Sequence, residues 1–61
     1  MDKELLAKKI ESNFDSKRQF IEAFKKAGGM LDETLLSKQL KGTRGLTIGW
    51  KSAYSIFFKY L

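Results

Sequence analysis

Asp32-Glu33-Thr34-Leu35-Leu36-Ser37-Lys38-Gln39-Leu40-Lys41-Gly42-Thr43-Arg44-Gly45 is the stretch that decides the fold. It opens on a carboxylate that can cap a helix, because its oxygen can accept from a backbone N–H two or three residues on. Leu31 before that cap and Leu36 at the fourth helical position form a hydrophobic staple. Leu36 and Leu40 recur at helical spacing and are expected to face inward. Gly42 closes the segment, since glycine takes the left-handed backbone of a helix C-terminus at no steric cost. The spacing predicts a helix over about 32–41, followed by the loop Thr43-Arg44-Gly45-Leu46.

The same punctuation repeats on both sides. Upstream, Ser16-Lys17-Arg18-Gln19 has the form of a capping box, in which the serine oxygen accepts from the amide three residues on and the glutamine reaches back. Phe20, Ala23, Phe24 and Ala27 then line one face, and Gly28-Gly29 stops a helix spanning about 16–27. Further upstream, Asp2 caps a segment from Lys3 to Asn13 with Leu6, Ile10 and Phe14 at four-residue spacing. Downstream, Thr47 caps a helix over about 47–60, where Trp50, Ala53, Phe57 and Tyr60 make one face and Tyr54, Phe58 and Leu61 a second. Valine and proline are absent, and no two-residue alternation runs for the length of a strand. The expected fold is all-α: a single domain over residues 1–61, built as a compact bundle of four short helices. The connection Gly28–Leu31 suits either an antiparallel hairpin or a helix-turn-helix.

Composition narrows the function. At 61 residues and 43% hydrophobic content the chain supports one thin core. Cysteine and histidine are both absent, which removes the disulfide, the thiol nucleophile, the commonest metal ligand and the usual general base. No pair among the remaining lysines, tyrosines and carboxylates has a recognisable catalytic arrangement. The expectation is a protein that is not an enzyme and has no metal, cofactor or small-molecule substrate. The opening Met1–Lys9 is charged every few residues, and the longest apolar run is Ile56-Phe57-Phe58, so a signal peptide and a membrane span are not expected. A soluble, cytoplasmic protein follows as the default.

Twelve basic and seven acidic side chains give a net charge of +5, and its distribution says more than its sum. Over residues 1–33, seven basic and seven acidic groups cancel; residues 34–61 hold Lys38, Lys41, Arg44, Lys51 and Lys59 with no acid at all. Helix-dipole complementarity accounts for part of this, since acids favour helix starts and cations favour helix ends. It does not account for 28 consecutive residues without a carboxylate. A basic surface for an anionic partner is the stronger reading.

On the 32–41 helix, Thr34, Lys38 and Lys41 recur opposite Leu36 and Leu40, with Ser37 beside them. A helix lying in a DNA major groove needs such a face: short polar groups and cations near base edges, with an apolar back anchored in a core. Thr43, Arg44 and Lys51 follow and can hold the phosphate backbone, as can Lys17 and Gln19 at the start of the second helix.

The run Leu36-Ser37-Lys38-Gln39-Leu40-Lys41-Gly42-Thr43-Arg44-Gly45 resembles the recognition-helix region of the Cro and phage-repressor (XRE-type) helix-turn-helix family. That family shows an apolar residue, then serine, a glycine five positions later and a basic residue two further on; here these are Leu36, Ser37, Gly42 and Arg44. Ser16–Ala27 resembles the first motif helix, and Thr47–Leu61 the helix packed behind the motif. Two departures stand out: the connection Gly28–Leu31 is about two residues longer than the family's tight turn, and Gln39 stands where the family often has an apolar residue. The resemblance implies a small prokaryotic or viral regulator that binds double-stranded DNA as a homodimer on a palindromic operator. In that reading Thr34, Ser37, Lys38 and Lys41 read bases, while Lys17, Gln19, Thr43, Arg44 and Lys51 hold phosphates.

Five of the eight aromatic residues lie in the last twelve positions. Trp50 and Phe57 are expected in the core, and Tyr54, Phe58 and Leu61 at a dimer interface. Two other classes fit the same composition. One is a small basic helical interaction module, an inhibitor or adaptor docking an acidic protein; the other is an RNA or single-strand binder using exposed aromatics for stacking.

Overall fold

The computed structural model describes residues 1–61 and consists of four helices: α1 (Lys3–Asn13), α2 (Lys17–Lys26), α3 (Glu33–Lys41) and α4 (Ile48–Lys59). Each begins where its capping residue predicts. The side chains of Asp2, Ser16, Asp32 and Thr47 accept from the amides of Leu5 (2.8 Å), Gln19 (3.2 Å), Leu35 (2.7 Å) and Trp50 (3.4 Å). Gln19 reaches back as expected but takes the amide of Asp15 at 3.0 Å, one residue earlier than a capping box requires.

The helices end as firmly. At the end of α2, Gly28 (φ 98°) donates to the carbonyl of Lys25 and Gly29 to that of Phe24, both at 3.0 Å, which is the Schellman pattern. The ring of Phe24 lies over Gly29, where an added Cβ would fall 2.1 Å from it. The two glycines therefore serve different ends: one supplies the left-handed backbone, the other makes room for a core ring.

All four helices feed one core of Leu6, Ile10, Phe20, Ile21, Phe24, Leu31, Leu36 and Tyr54. Phe20 is its hub. Its ring centre lies 5.6–5.9 Å from those of Phe14, Phe24, Tyr54, Phe57 and Phe58. α3 packs on α1 and α2, and Leu31 and Leu36 are both buried as the staple at its start demands.

Several inward positions differ from the sequence expectation. On α2, Ile21 is buried and Ala27 exposed, because the chain turns away at Ala27 before that residue can reach the core. On α3, Gln39 lies fully inside and Leu40 is half-buried. On α4 the two expected faces merge into one stripe, Trp50, Ala53, Tyr54, Phe57 and Phe58, at the i, i+3, i+4, i+7, i+8 spacing of a broad buried face. Tyr54 sits at its centre with 0% exposure, and Tyr60, expected inward, is left in solvent. Tyr54 therefore cannot belong to a dimer interface. Phe58 is half-buried, stacked on Phe20 with planes 2° apart, and Leu61 alone of the three expected interface residues is exposed.

Burial of Tyr54 and Gln39 is linked. The tyrosine hydroxyl donates to Oε1 of Gln39 at 2.5 Å inside the core. A phenol and a carboxamide left unpaired there would each forfeit their hydration without compensation. Tyr54→Phe is expected to destabilise by about 1–3 kcal/mol, and adding Gln39→Leu to recover most of that loss, because removing both partners leaves nothing unsatisfied. Burial also pushes the Tyr54 pKa above the ordinary tyrosine value. The unfolded chain ionises this group near pH 10, whereas the fold keeps it neutral beyond that. Its contribution is whole below about pH 10 and is lost as pH rises from there toward the raised value. Chemical denaturation of wild type and Tyr54→Phe between pH 8 and about 11 checks this: wild type should lose the larger share of its stability.

Candidate nucleic-acid interface

α3 presents two faces of opposite chemistry. Inward lie Leu36 and Gln39; outward, Thr34, Lys38 and Lys41 are exposed and Ser37 is half-buried at their flank. The four residues expected to face base edges thus lie on the side of α3 away from its buried positions. Asp32 and Glu33 are the only acids on this helix or its cap, and both lie at its first turn, where the macrodipole favours them.

The loop after α3 is bound to the helix rather than trailing from it. Gly42 adopts φ 82°, and the carbonyl of Lys38 accepts from the amides of Gly42 (3.0 Å) and Arg44 (3.3 Å) and from the hydroxyl of Thr43 (3.3 Å). One carbonyl thereby gathers three residues. The backbone of Arg44 is thereby held at the C-terminal end of α3, and its side chain, like that of Lys38, is exposed. The hydroxyl of Thr43 donates to that carbonyl and so helps shape the loop, while the residue itself stays exposed beside Arg44.

The two expected phosphate-holding regions differ in electrostatics. At the start of α2, Arg18 approaches Glu22 (3.9 Å), and Lys17 shares a hollow with Glu11 and Asp15. Gln19 uses its Oε1 on Asp15, leaving its NH2 as a donor. Cations there are met by carboxylates, so the attraction for an anion is muted. The other region is a hollow of about 270 Å³ in which Arg44 and Lys51 meet Lys3 of α1. Its one carboxylate, Asp2, already accepts the Leu5 amide as the cap of α1. Lys3 went unnoticed in the sequence because it belongs to the charge-balanced half; only the packing of α1 on α3 brings it to this place. Its Nζ lies 2.6 Å from the point a Cβ on Gly42 would occupy.

A second surface is apolar. A hollow of about 460 Å³ between the end of α2 and α4 is lined by Phe24, Ala53, Ile56, Phe57, Tyr60 and Leu61. Of these Ile56, Tyr60 (77% exposed) and Leu61 reach solvent and, in place of Tyr54, form the exposed apolar patch. Met30 stands exposed over a separate hollow with Trp50 and Ala53, and Ile48 is exposed at the opposite end of α4.

No group of histidine, cysteine, aspartate or glutamate is placed to hold a metal ion, and no helix is long and apolar enough to cross a membrane. Comparison with family models, curated proteins and solved structures returns no match to this chain.

The geometry of the α3 corner has a measurable cost if disturbed. Gly42→Ala places a side chain in the left-handed region, a penalty of about 1–2 kcal/mol. The melting temperature is expected to fall by roughly 4–8 °C per kcal/mol for a chain of this size, and thermal unfolding followed by circular dichroism measures it.

Proposed function

We propose that this chain is a sequence-specific double-stranded DNA-binding protein, a small Cro- or repressor-like transcriptional regulator acting as a homodimer on a palindromic operator. The observation that carries the reading is the outer face of α3: Thr34, Lys38 and Lys41 stand exposed on a helix whose back is locked into the core, with Arg44 tied to its end. α2, the connection through Gly28–Leu31, and α3 supply the two helices and intervening turn of a helix-turn-helix, and α4 packs behind them. Thr34, Ser37, Lys38 and Lys41 face the bases in this reading; Thr43, Arg44 and Lys51, with Gln19 and Lys17, take phosphates.

The homodimer rests on the apolar surface of α4. Ile56, Tyr60 and Leu61 protrude beside a hollow that the same residues help line, so one patch carries both projections and a recess. A two-fold contact requires that self-complementarity, and it would present two α3 helices to successive turns of the duplex.

The basic, acid-free surface over residues 34–61 also supports a second reading, a basic helical module, inhibitor or adaptor, that docks an acidic protein. The two part on one observation: a module of that kind gives no DNA shift at low salt and co-purifies with a single protein.

Selection from random duplex DNA is expected to enrich a palindromic consensus. Lys38→Ala and Arg44→Ala should each weaken binding of that site, by about 1–3 kcal/mol where a base contact is lost, while the melting temperature is unchanged. Affinity should fall steeply with salt as condensed counterions are released; tight binding indifferent to salt would overturn the reading. In sedimentation, wild type should run at twice the 7.0 kDa chain mass and Ile56→Lys at the single mass.

A further inference from the structure

We propose that Lys3, at the start of α1, joins Arg44 and Lys51 in a three-cation cradle for the phosphate backbone of nucleic acid. The inference rests on the DNA reading and deepens it by adding a residue from outside the motif and the helix behind it.

Three elements distant in sequence converge on one hollow: Lys3 from α1, Arg44 from the loop after α3, and Lys51 from α4. Three like charges gathered at a solvent-facing recess repel one another, and the C-terminal end of α3 beside Gly42 offsets part of that for Lys3. The one carboxylate beside them, Asp2, caps α1 and balances a single cation. The hollow therefore keeps a local excess of positive charge with no partner in the chain. Gly45 leaves open space at its edge, and the absence of a side chain on Gly42 gives the Lys3 ammonium room to lie there. A volume of about 270 Å³ admits an ion the size of a phosphate group. The ligand such a recess recognises is a monoanionic, multi-acceptor group held by point charges and a guanidinium fork, and a phosphodiester has that chemistry.

Position supports the assignment. The Lys38 carbonyl holds the amide of Arg44 at the end of α3, and Arg44 lines this hollow. A backbone phosphate seated there lies immediately beside the base-facing helix, where it would set how α3 enters the groove. The cradle is read from side chains on three elements, and no motif spacing contains it.

The test uses full-length protein and the duplex enriched by selection, with affinity followed across salt concentration. Lys3→Gln is expected to flatten the slope of log affinity against log salt by about 1 per subunit, about 2 for the homodimer, and to weaken binding roughly sixtyfold at 0.1 M salt. Lys3→Arg should retain the wild-type slope. Lys8→Gln, an equal change of charge on the same helix but outside the hollow, is the control and should leave the slope near wild type. Circular dichroism on each variant separates misfolding from lost contact. An unchanged slope in Lys3→Gln, or an equal loss in Lys3→Gln and Lys8→Gln, overturns the cradle while leaving the DNA reading intact. Absence of duplex binding by the wild type overturns the DNA reading itself, and the cradle with it.

Discussion

The hydrogen bond between Tyr54 and Gln39 is the constraint on which the arrangement of this chain turns. A protein of 61 residues buries few side chains, and here two of the fully enclosed ones carry polar atoms. Neither can be enclosed alone without leaving an unsatisfied group in the core. Once paired, they tie α3 to α4 at one point inside the core. A buried donor and acceptor add direction to the apolar packing that Leu36, fully enclosed on the same side of α3, supplies. Thr34, Lys38 and Lys41 lie on the side of α3 away from both, so the outward face follows from the two together.

Around that bond the aromatic residues supply the bulk. Phe20 touches rings from the α1–α2 junction, α2 and α4, in edge and stacked geometries that suit the aromatic quadrupole. The density of rings compensates for the small number of buried residues. It also explains why Gly29 has to be a glycine: the space that a methyl group would fill belongs to Phe24. The fold is thus held by a ring cluster on one side of α4, while the other side of the same helix keeps Ile48, Ile56 and Tyr60 in solvent.

Local features were legible in the sequence because they act over three or four residues. The four capping residues, the staple of Leu31 and Leu36, and the glycine ends of α2 and α3 each depend on neighbours in the chain. Features that depend on distant partners were not. Tyr54 carries a hydroxyl and sits among many apolar neighbours, so pattern alone left its place to the second face of α4; its partner fifteen residues away decides otherwise. Gln39 stands where the resembled family often has an apolar residue, and nothing in the neighbouring sequence names the donor that lets it be enclosed. Lys3 is the clearest case, since division of the charge along the chain assigned its half a sum of zero. That division is one-dimensional, and α1 folds back so that its first lysine stands beside Arg44 and Lys51.

The electrostatic asymmetry of the surface follows from the same economy. Acids in this chain are used at helix starts, where Asp2 and Asp32 cap and Glu4 and Glu33 lie in first turns. Others, Glu11, Asp15 and Glu22, stand near Lys17 and Arg18 and quiet the start of α2. No acid is left for α4 or the loop after α3, and Thr47 caps α4 with a neutral hydroxyl where an aspartate would serve as well. A carboxylate at position 47 would stand close to the hollow that gathers Lys3, Arg44 and Lys51 through Leu46. The choice of a neutral cap there retains the positive field at little cost to the helix.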